Sequence, residues 1–581
     1  MVPAAEGTPV RQGGTYFLSP ANARQRQYET LRAYLVEGLS REQAAARFGY
    51  TEATMASLVR DFRAGHLDFF GPRALARRRS PAKERARARI VELRQAGHSA
   101  IEISAALTAE SMALNRTGVA EVLAEEGFKR LTNRPFRERV LPRRAEQPRA
   151  QALNFDDLPP ANHTMVAGLL LTIPDLVALD LPALVRTAGY PGTRSIGAIN
   201  YILSLLALKL VGTRRVSHVD DLAADPGAAL FAGLTALPKT TALTTYSYRG
   251  RHGHQRALLA ALDTAMIKAG LITTAEMVFD LDFHAIMHWG TDPALEKNYV
   301  PTRSQRSRSV LTFFAQDSGT HNLVYANADL AKNTQNREVI AFCDHWRQVS
   351  GTDPHMLVMD QKMTTQPILG ELNERGIKFL TLRMRSATLI RQIDALPDDA
   401  WTTVALDRDS KFRRPKVAEQ AEVTLSNYPG TVRQLIITGL GRDAPTVIIT
   451  NDHDTTTRKL IERYARRMCI EQRLAEAIRA FHLDALAGAV NLNIDLDVAL
   501  SVTAGAACAA LRKRLPGYAS ATPDTLQRRF IETSGKIIHK DGHITVRLDR
   551  RTYSPVLRQS DIPTTTTVPW WNNRELHIEY T

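Results

Sequence analysis

Residues 277–290 read MVFDLDFHAIMHWG. From Val278 onward they alternate as a strand does, with Asp280, Asp282 and His284 on one face and Phe279, Leu281 and Phe283 on the other. An acidic pair inside an apolar strand is expensive unless something compensates it, and a metal ion is the usual compensation. Working outward, two further strands follow, SVLTFFAQD (309–317) and HNLVYANAD (321–329). A helix, NREVIAFCDHWRQV (336–349), comes next, and then HMLVMDQKMTT (355–365), a largely apolar strand ending at Asp360. A helix and the strand KFLTLRM (378–384) complete the series.

Three strands, a helix, a strand, a helix and a strand describe the ribonuclease H-like fold. In that fold the metal-binding carboxylates lie on the first and fourth strands, and Asp282 and Asp360 fit those positions. Asp280 is the alternative to Asp282. The third carboxylate belongs on a later helix, TTTRKLIERYARRMCIEQRLAEAIRAFHLDAL (455–486). Strand-like runs WTTVAL (401–406), KVAEQAEVTL (416–425), TVRQLIITGL (431–440) and TVIITND (446–452) precede it as a β-rich insertion.

The chain here resembles the bacterial insertion-sequence DDE transposases that carry a β-strand insertion before the catalytic Glu. Their last helix bears a Y-x2-R-x3-E-x6-K signature, and Tyr464, Arg467 and Glu471 match it in residue and spacing. Ile478 stands at the Lys position, with Arg479 beside it. The segments DFH (282–284), MDQK (359–362) and YARRMCIE (464–471) carry the likeness, which spans about residues 275–550. The D-F-H form favours Asp282 over Asp280. The resemblance implies that Asp282, Asp360 and Glu471 hold two divalent ions and that the enzyme cuts and joins DNA. Mg2+ is the expected ion because the donors are hard oxygens, with Mn2+ able to substitute. It also implies DNA contacts from Tyr464 and Arg467.

Other candidates have plainer readings. Glu462 and Glu476 share the helix but lack the Tyr and Arg offsets. His284 and His288 are four apart without the Glu of a metalloprotease motif, and His284 reads as structural. Asp317 reads as a turn residue. Arg303, Arg306 and Arg308, in PTRSQRSRS (301–309), form either a solvated loop or a phosphate clamp, and their clustering favours the clamp. SGKI (534–537) is not a P-loop, so no nucleotide cofactor is expected.

Charge adds a second theme. The chain has 75 Lys+Arg against 60 Asp+Glu, a net of +15. Residues 1–150 hold 26 Lys+Arg and 16 Asp+Glu, two thirds of the excess in a quarter of the length. Two helix-turn-helix patterns lie there, and with the charge they point to DNA binding. In the first, Ser40 caps a helix over 41–48 with Gln43 completing a capping box, Gly49 breaks it, and Thr51 caps a helix reaching about Arg63. Met55, Val59 and Phe62 form its apolar stripe, and Ser57 and Arg60 lie on its outer face. The second ends in a helix starting near Asn115, which places Asn115 and Arg116 against DNA. A basic linker, GPRALARRRSPAKERARAR (71–89), suited to phosphates, joins the two, and 135–160 reads as a further linker.

The expected fold class is multidomain α/β. Its parts are helix-turn-helix units at 20–70 and 82–135 and a helical domain at 160–275. A catalytic domain at 276–385 and 451–515, an insertion at 386–450 and a C-terminal β tail at 516–581 with an Asp541-Gly542 hairpin turn complete it. Cys343, Cys469 and Cys508 lie too far apart for a disulfide framework or metal knuckle. The start, MVPAAEGTPV, lacks a signal-peptide pattern, and the best apolar run, 165–181, is broken by Pro174 and Asp175. A cytoplasmic, nucleoid-associated protein is therefore expected. Its partners would be double-stranded DNA, as element ends and target, and a second copy of the chain in a homodimer on DNA. A DNA-binding regulator or a host nuclease descended from such an enzyme is the competing reading.

Overall fold

The computed structural model describes residues 15–18, 20, 23–67, 69, 81–128, 148–287, 297–300, 305–407, 414–441, 444–484, 491–540 and 542–580. The chain is mixed α/β and divides into two compact units, Met1–Arg144 and Ala145–Thr581.

The first unit is helical. Helices α1 (Ala23–Leu35), α2 (Arg41–Phe48) and α3 (Glu52–Arg63) enclose a small core of Leu31, Ala44, Phe48, Met55, Leu58 and Val59. The expected capping box holds: Gln43 N donates to Ser40 Oγ (3.1 Å), and Ser40 N to Gln43 Oε1 (2.9 Å). Gly49 closes α2 with φ 73°, a conformation costly for any residue with a Cβ. Phe62 departs from the expected stripe and is 40% exposed.

Helices α4 (Pro81–Gln95), α5 (Ala100–Ala109) and α6 (Arg116–Glu125) pack around Ile90, Ile103, Leu107, Val119 and Val122. Ser99 and Glu102 make a second capping box, and Asn115 caps α6. One expectation fails here. Residues 81–89 are not linker but the first turns of α4, and three of their four cations have acidic partners. Lys83 meets Glu121, Arg87 meets Glu84, Glu125 and Glu126, and Arg89 meets Glu110 at 2.6 Å. Residues 71–80 of the linker lie outside the described residues.

The second unit starts with β1 (Ala161–Thr164), a set of short helices, and the longer α7 (Ala198–Leu210) and α8 (His252–Lys268). The main sheet follows. In chain order it comprises β2 (Val278–Met287), β3 (Lys297–Val300), β4 (Gln305–Asp317) and β5 (Leu323–Asn327). After α9 (Glu338–Ser350), β6 (Met356–Met359), α10 (Gln366–Glu374) and β7 (Lys378–Leu382) complete the expected series. The strand order is β5-β4-β2-β6-β7, with β2, β6 and β7 parallel and β4 antiparallel to its neighbours.

The insertion is not a separate body. After α11 (Ala387–Asp394), β8 (Trp401–Thr403), β9 (Lys416–Thr424), β10 (Thr431–Thr438) and β11 (Thr446–Thr450) extend the same sheet, because β11 pairs with β7. The long helix read at 455–486 is two helices, α12 (Thr457–Arg466) and α13 (Met468–Phe481). Leu460 and Ile461 of α12 bury with Val278, Val358 and Leu380 on one sheet face, whereas Leu474, Ala477 and Phe481 of α13 join the larger core. The break falls at Arg467, which keeps helical φ −51° and ψ −31°.

Helix α14 (Asn491–Arg514) runs through the larger core beside α7, α8 and β5. Its segment Leu492–Arg514 is long and apolar enough to cross a membrane, contrary to the expectation that no run reaches that length, but most of it is buried within the protein. Its two acids toward the core are matched: half-buried Asp497 pairs with Lys209 (2.7 Å), and buried Asp495 with His252 (2.8 Å). The C-terminal strands β12 (Gly535–Lys540), β13 (His543–Leu548), β14 (Thr565–Val568) and β15 (Arg574–Tyr580) recruit β1 into a second sheet, β1-β12-β13-β15-β14. Trp571 Nε1 donates to Leu230 O (2.9 Å) and Trp570 Nε1 to Phe231 O (3.0 Å). The helical region and the tail thus share one core, and so does Phe155 from the second expected linker.

Candidate active site

The centre of the main sheet holds the acidic residues. The β2–β6 ladder runs parallel from Val278↔Met356 to Leu281↔Met359. Asp282 and Asp360 stand one step beyond the last pair, opposite each other on adjacent strands. Neighbouring strands lie about 4.8 Å apart, so two carboxylates there repel. Asp360 directly follows β6 and caps the turn Gln361–Met363, accepting from Gln361 N at 2.8 Å.

Alternation puts Asp280 and Asp282 on one face, but their depths differ. Asp280 is 0% exposed, and its Oδ2 accepts from Ser318 Oγ at 2.8 Å while its Oδ1 has no partner. Burial pushes its carboxyl up to about 6. Asp282 retains 19% side-chain exposure. Burial also pushes it up to about 6, with Arg467 opposing the rise and Glu471 and Asp360 adding to it.

Arg467 occupies the break between α12 and α13 and is 8% exposed. Its Nη2 donates to Glu471 Oε1 (3.2 Å), and its Nη1 lies 3.7 Å from Asp282 Oδ1. The guanidinium carbon sits 5.9 Å from the centre of the Tyr464 ring. Burial disfavours its charge, yet Tyr464, Asp282, Asp360 and Glu471 together hold it above the usual arginine value. Burial pushes the Tyr464 hydroxyl up to about 12. A cleft of about 490 Å³ is lined by Asp360, Tyr464, Arg467 and Glu471 on one side and Arg383 and Arg385 on another.

The other glutamates of these helices are engaged elsewhere. Glu462 accepts from Asp407 N (2.7 Å) and Arg458 Nε (3.0 Å), and buried Glu476 accepts from Arg473 (2.6 Å). Glu471 keeps 50% side-chain exposure at the cleft. Ile478 packs against the core where the signature has Lys, and Arg479 is exposed. His284 is held below its usual value by burial, as a neutral structural imidazole would be. Asp317 closes its turn by accepting from Thr320 N (2.8 Å). The donor set suits a hard divalent cation: three carboxylates, two of them one step past the last pair of the β2–β6 ladder. Their oxygens do not all approach within 4.8 Å of one another, and Arg467 bridges two of them.

Arg308 lies on β4, as does Arg306, while Arg303 and His288 fall outside the described residues. In the first unit Arg60 is exposed beside Asp61 (3.0 Å), and Ser57 Oγ bonds back to Ala53 O (3.2 Å). Arg116 is exposed, but Asn115 Oδ1 accepts from Gly118 N (2.8 Å), so that side chain serves the helix cap. Sequence reading missed Ser318, Arg383 and Arg385. The two arginines stand in plain view just after the KFLTL strand, but only the fold turns them toward the cleft. Comparison with protein-family models and with curated proteins returns no match.

Proposed function

We propose that the chain is a DDE-type DNA transposase of an insertion sequence, with a ribonuclease H-like catalytic core and tandem helix-turn-helix units that bind the element's ends. The observation that carries this reading is the juxtaposition of Asp282 and Asp360 on adjacent parallel strands, with Glu471 joined to Asp282 through Arg467. The strand order β5-β4-β2-β6-β7 supports the core assignment, and the two capped three-helix bundles support the DNA-binding assignment.

Asp282, Asp360 and Glu471 would hold the metal. When bound, two Mg2+ ions, or Mn2+ in their place, supply an activated water and a stabilised leaving oxygen for phosphodiester cleavage. Arg467 orients Glu471 and offsets part of the site's negative charge. Tyr464 backs the guanidinium and limits its movement. Arg383 and Arg385 line the same cleft and suit phosphate contact, since guanidinium groups match phosphate oxygens. Asp280, buried against Ser318, supports the strand beneath the site.

On this reading the active species is a homodimer assembled on DNA in the cytoplasm, at the nucleoid. The decisive experiment incubates protein, Mg2+ and DNA bearing the gene's native flanks. Specific nicks followed by joined products support the proposal. Nicks without joining indicate a nuclease, and end binding without cleavage indicates a regulator.

A further inference from the structure

The second sheet has one buried and one open face. Ile544, Val546, Leu576 and Ile578 enter the core. Alternation therefore places His543, Glu575 and His577 together on the opposite face. The parallel β13–β15 ladder pairs Ile544 with Leu576 and Thr545 with His577, which sets His543 across from Glu575. On β14, Thr565 opposes His577 and Thr567 opposes Glu575, and these short side chains leave the cluster uncovered.

His577 Nε2 lies 3.1 Å from Glu575 Oε2, and His543 Nδ1 lies 3.9 Å from the same oxygen. The two imidazole centroids are 4.9 Å apart. One ligand atom from each residue falls within 4.8 Å of both others. Ligands about 2.0–2.2 Å from a tetrahedral ion stand about 3.4 Å from each other, so small rotamer changes would close this set around one ion. Neighbouring cations are committed elsewhere: Arg547 pairs with Glu579 (2.7 Å) and Arg574 with Asp156 (3.0 Å). The cluster is distinct in chemistry from the Asp282 site, because it offers two nitrogens and one oxygen rather than oxygens alone.

We propose that His543, Glu575 and His577 form a binding site for a divalent transition-metal ion of the zinc class, on the outer face of the C-terminal sheet. Imidazole nitrogens favour Zn2+, Co2+ or Ni2+ over Mg2+. Two histidines and a carboxylate leave a fourth position for water or a group from another molecule. All three ligands sit on strands, which fixes their spacing better than loops would. An ion bound here ties β13 to β15 and so fastens the last strand of the chain.

The test uses the full-length chain carrying Asp282→Asn and Glu471→Gln, which removes competing sites among the carboxylates. Zn2+ is titrated by calorimetry in excess Mg2+, and Co2+ is titrated by visible absorption. The expected result is one tight equivalent of Zn2+ that Mg2+ does not displace, with Co2+ giving the ligand-field bands of a four- or five-coordinate ion. His543→Asn, Glu575→Gln or His577→Asn should each weaken binding at least tenfold. Each should also abolish the rise in Tm that Zn2+ produces. These side chains are on the open face, and the melting curve without metal reports whether each variant is folded. Zn2+ binding unchanged in the His543→Asn/His577→Asn variant, or displaced by Mg2+, overturns the proposal.

Discussion

Replacing Asp282 with Asn should make the protein more stable at neutral pH while removing the proposed cleavage activity. The carboxyl is pushed from 3.8 to about 6 by burial, even after Arg467's attraction is included. Holding it charged therefore costs the folded state about 3 kcal/mol, at about 1.4 kcal/mol for each tenfold change in proton affinity. The sign follows from linkage. The folded protein binds this proton more tightly than the unfolded chain does, so the contribution favours folding below pH 3.8. It is lost as pH rises through about 6, leaving the full cost at pH 7. The second unit spans roughly 440 residues, and unfolding entropy of about 2.1 cal/mol/K per residue converts 3 kcal/mol to about 3 °C in Tm. Differential scanning fluorimetry in EDTA at pH 4.5 and 7.5 tests this. Asp282→Asn should exceed the wild type by about 3 °C at pH 7.5 and match it more closely at pH 4.5. A variant less stable than wild type at pH 7.5, or a gap that does not change with pH, would refute the reasoning. Mg2+ should narrow the gap, because an ion bound by the wild type stabilises it by mass action.

Three further outcomes are expected. Asp360→Asn and Glu471→Gln should each abolish cleavage but leave end binding intact in a gel-shift assay, whereas Asp280→Asn should keep cleavage; full activity in either of the first two would mean the wrong residue was chosen. Arg60→Ala and Arg116→Ala in the full chain should each weaken binding to end DNA and flatten its salt dependence, with unchanged salt slopes sending recognition elsewhere. Mass photometry should find that end DNA drives two protomers together, and a cleavage-competent complex with one protomer would sink that expectation.

The sequence disclosed those features whose cause is local. The capping box at Ser40, the helix-breaking Gly49 and the alternation of β2 are each decided within a few residues, and each was legible; the second box, at Ser99, is equally local but was not read. What stayed hidden depends on distant pairing. Nothing near Thr446 says that β11 pairs with β7, and nothing near Ala161 says that β1 will pair with β12 some 370 residues later. Asp495 and Asp497 make α14 look half-exposed until His252 and Lys209 are known to meet them. Glu110, Glu125 and Glu126 likewise engage Arg87 and Arg89, cations that in sequence look like part of a basic linker.

The candidate site divides in the same way. The strand series is readable along the chain and offers Asp282 and Asp360, but Glu471 is picked from Glu462 and Glu476 only by the likeness of Tyr464, Arg467 and Glu471 to the DDE transposase signature. The strand series could not choose between Asp280 and Asp282 on physical grounds, since a period of two puts both on one face. Depth distinguishes them: Asp280 lies wholly inside against Ser318, whereas Asp282 keeps 19% side-chain exposure and lies 3.7 Å from Arg467. Arg467 shows why the missing information matters. As one residue of a signature it reads as a DNA contact. In the fold it breaks a helix, stacks near Tyr464 and links Glu471 to Asp282. A buried guanidinium in that position balances carboxylates that would otherwise repel one another. Arg467 thus offsets part of the site's negative charge before any ion arrives, and a cation entering between Asp282 and Glu471 must compete with a residue already seated there.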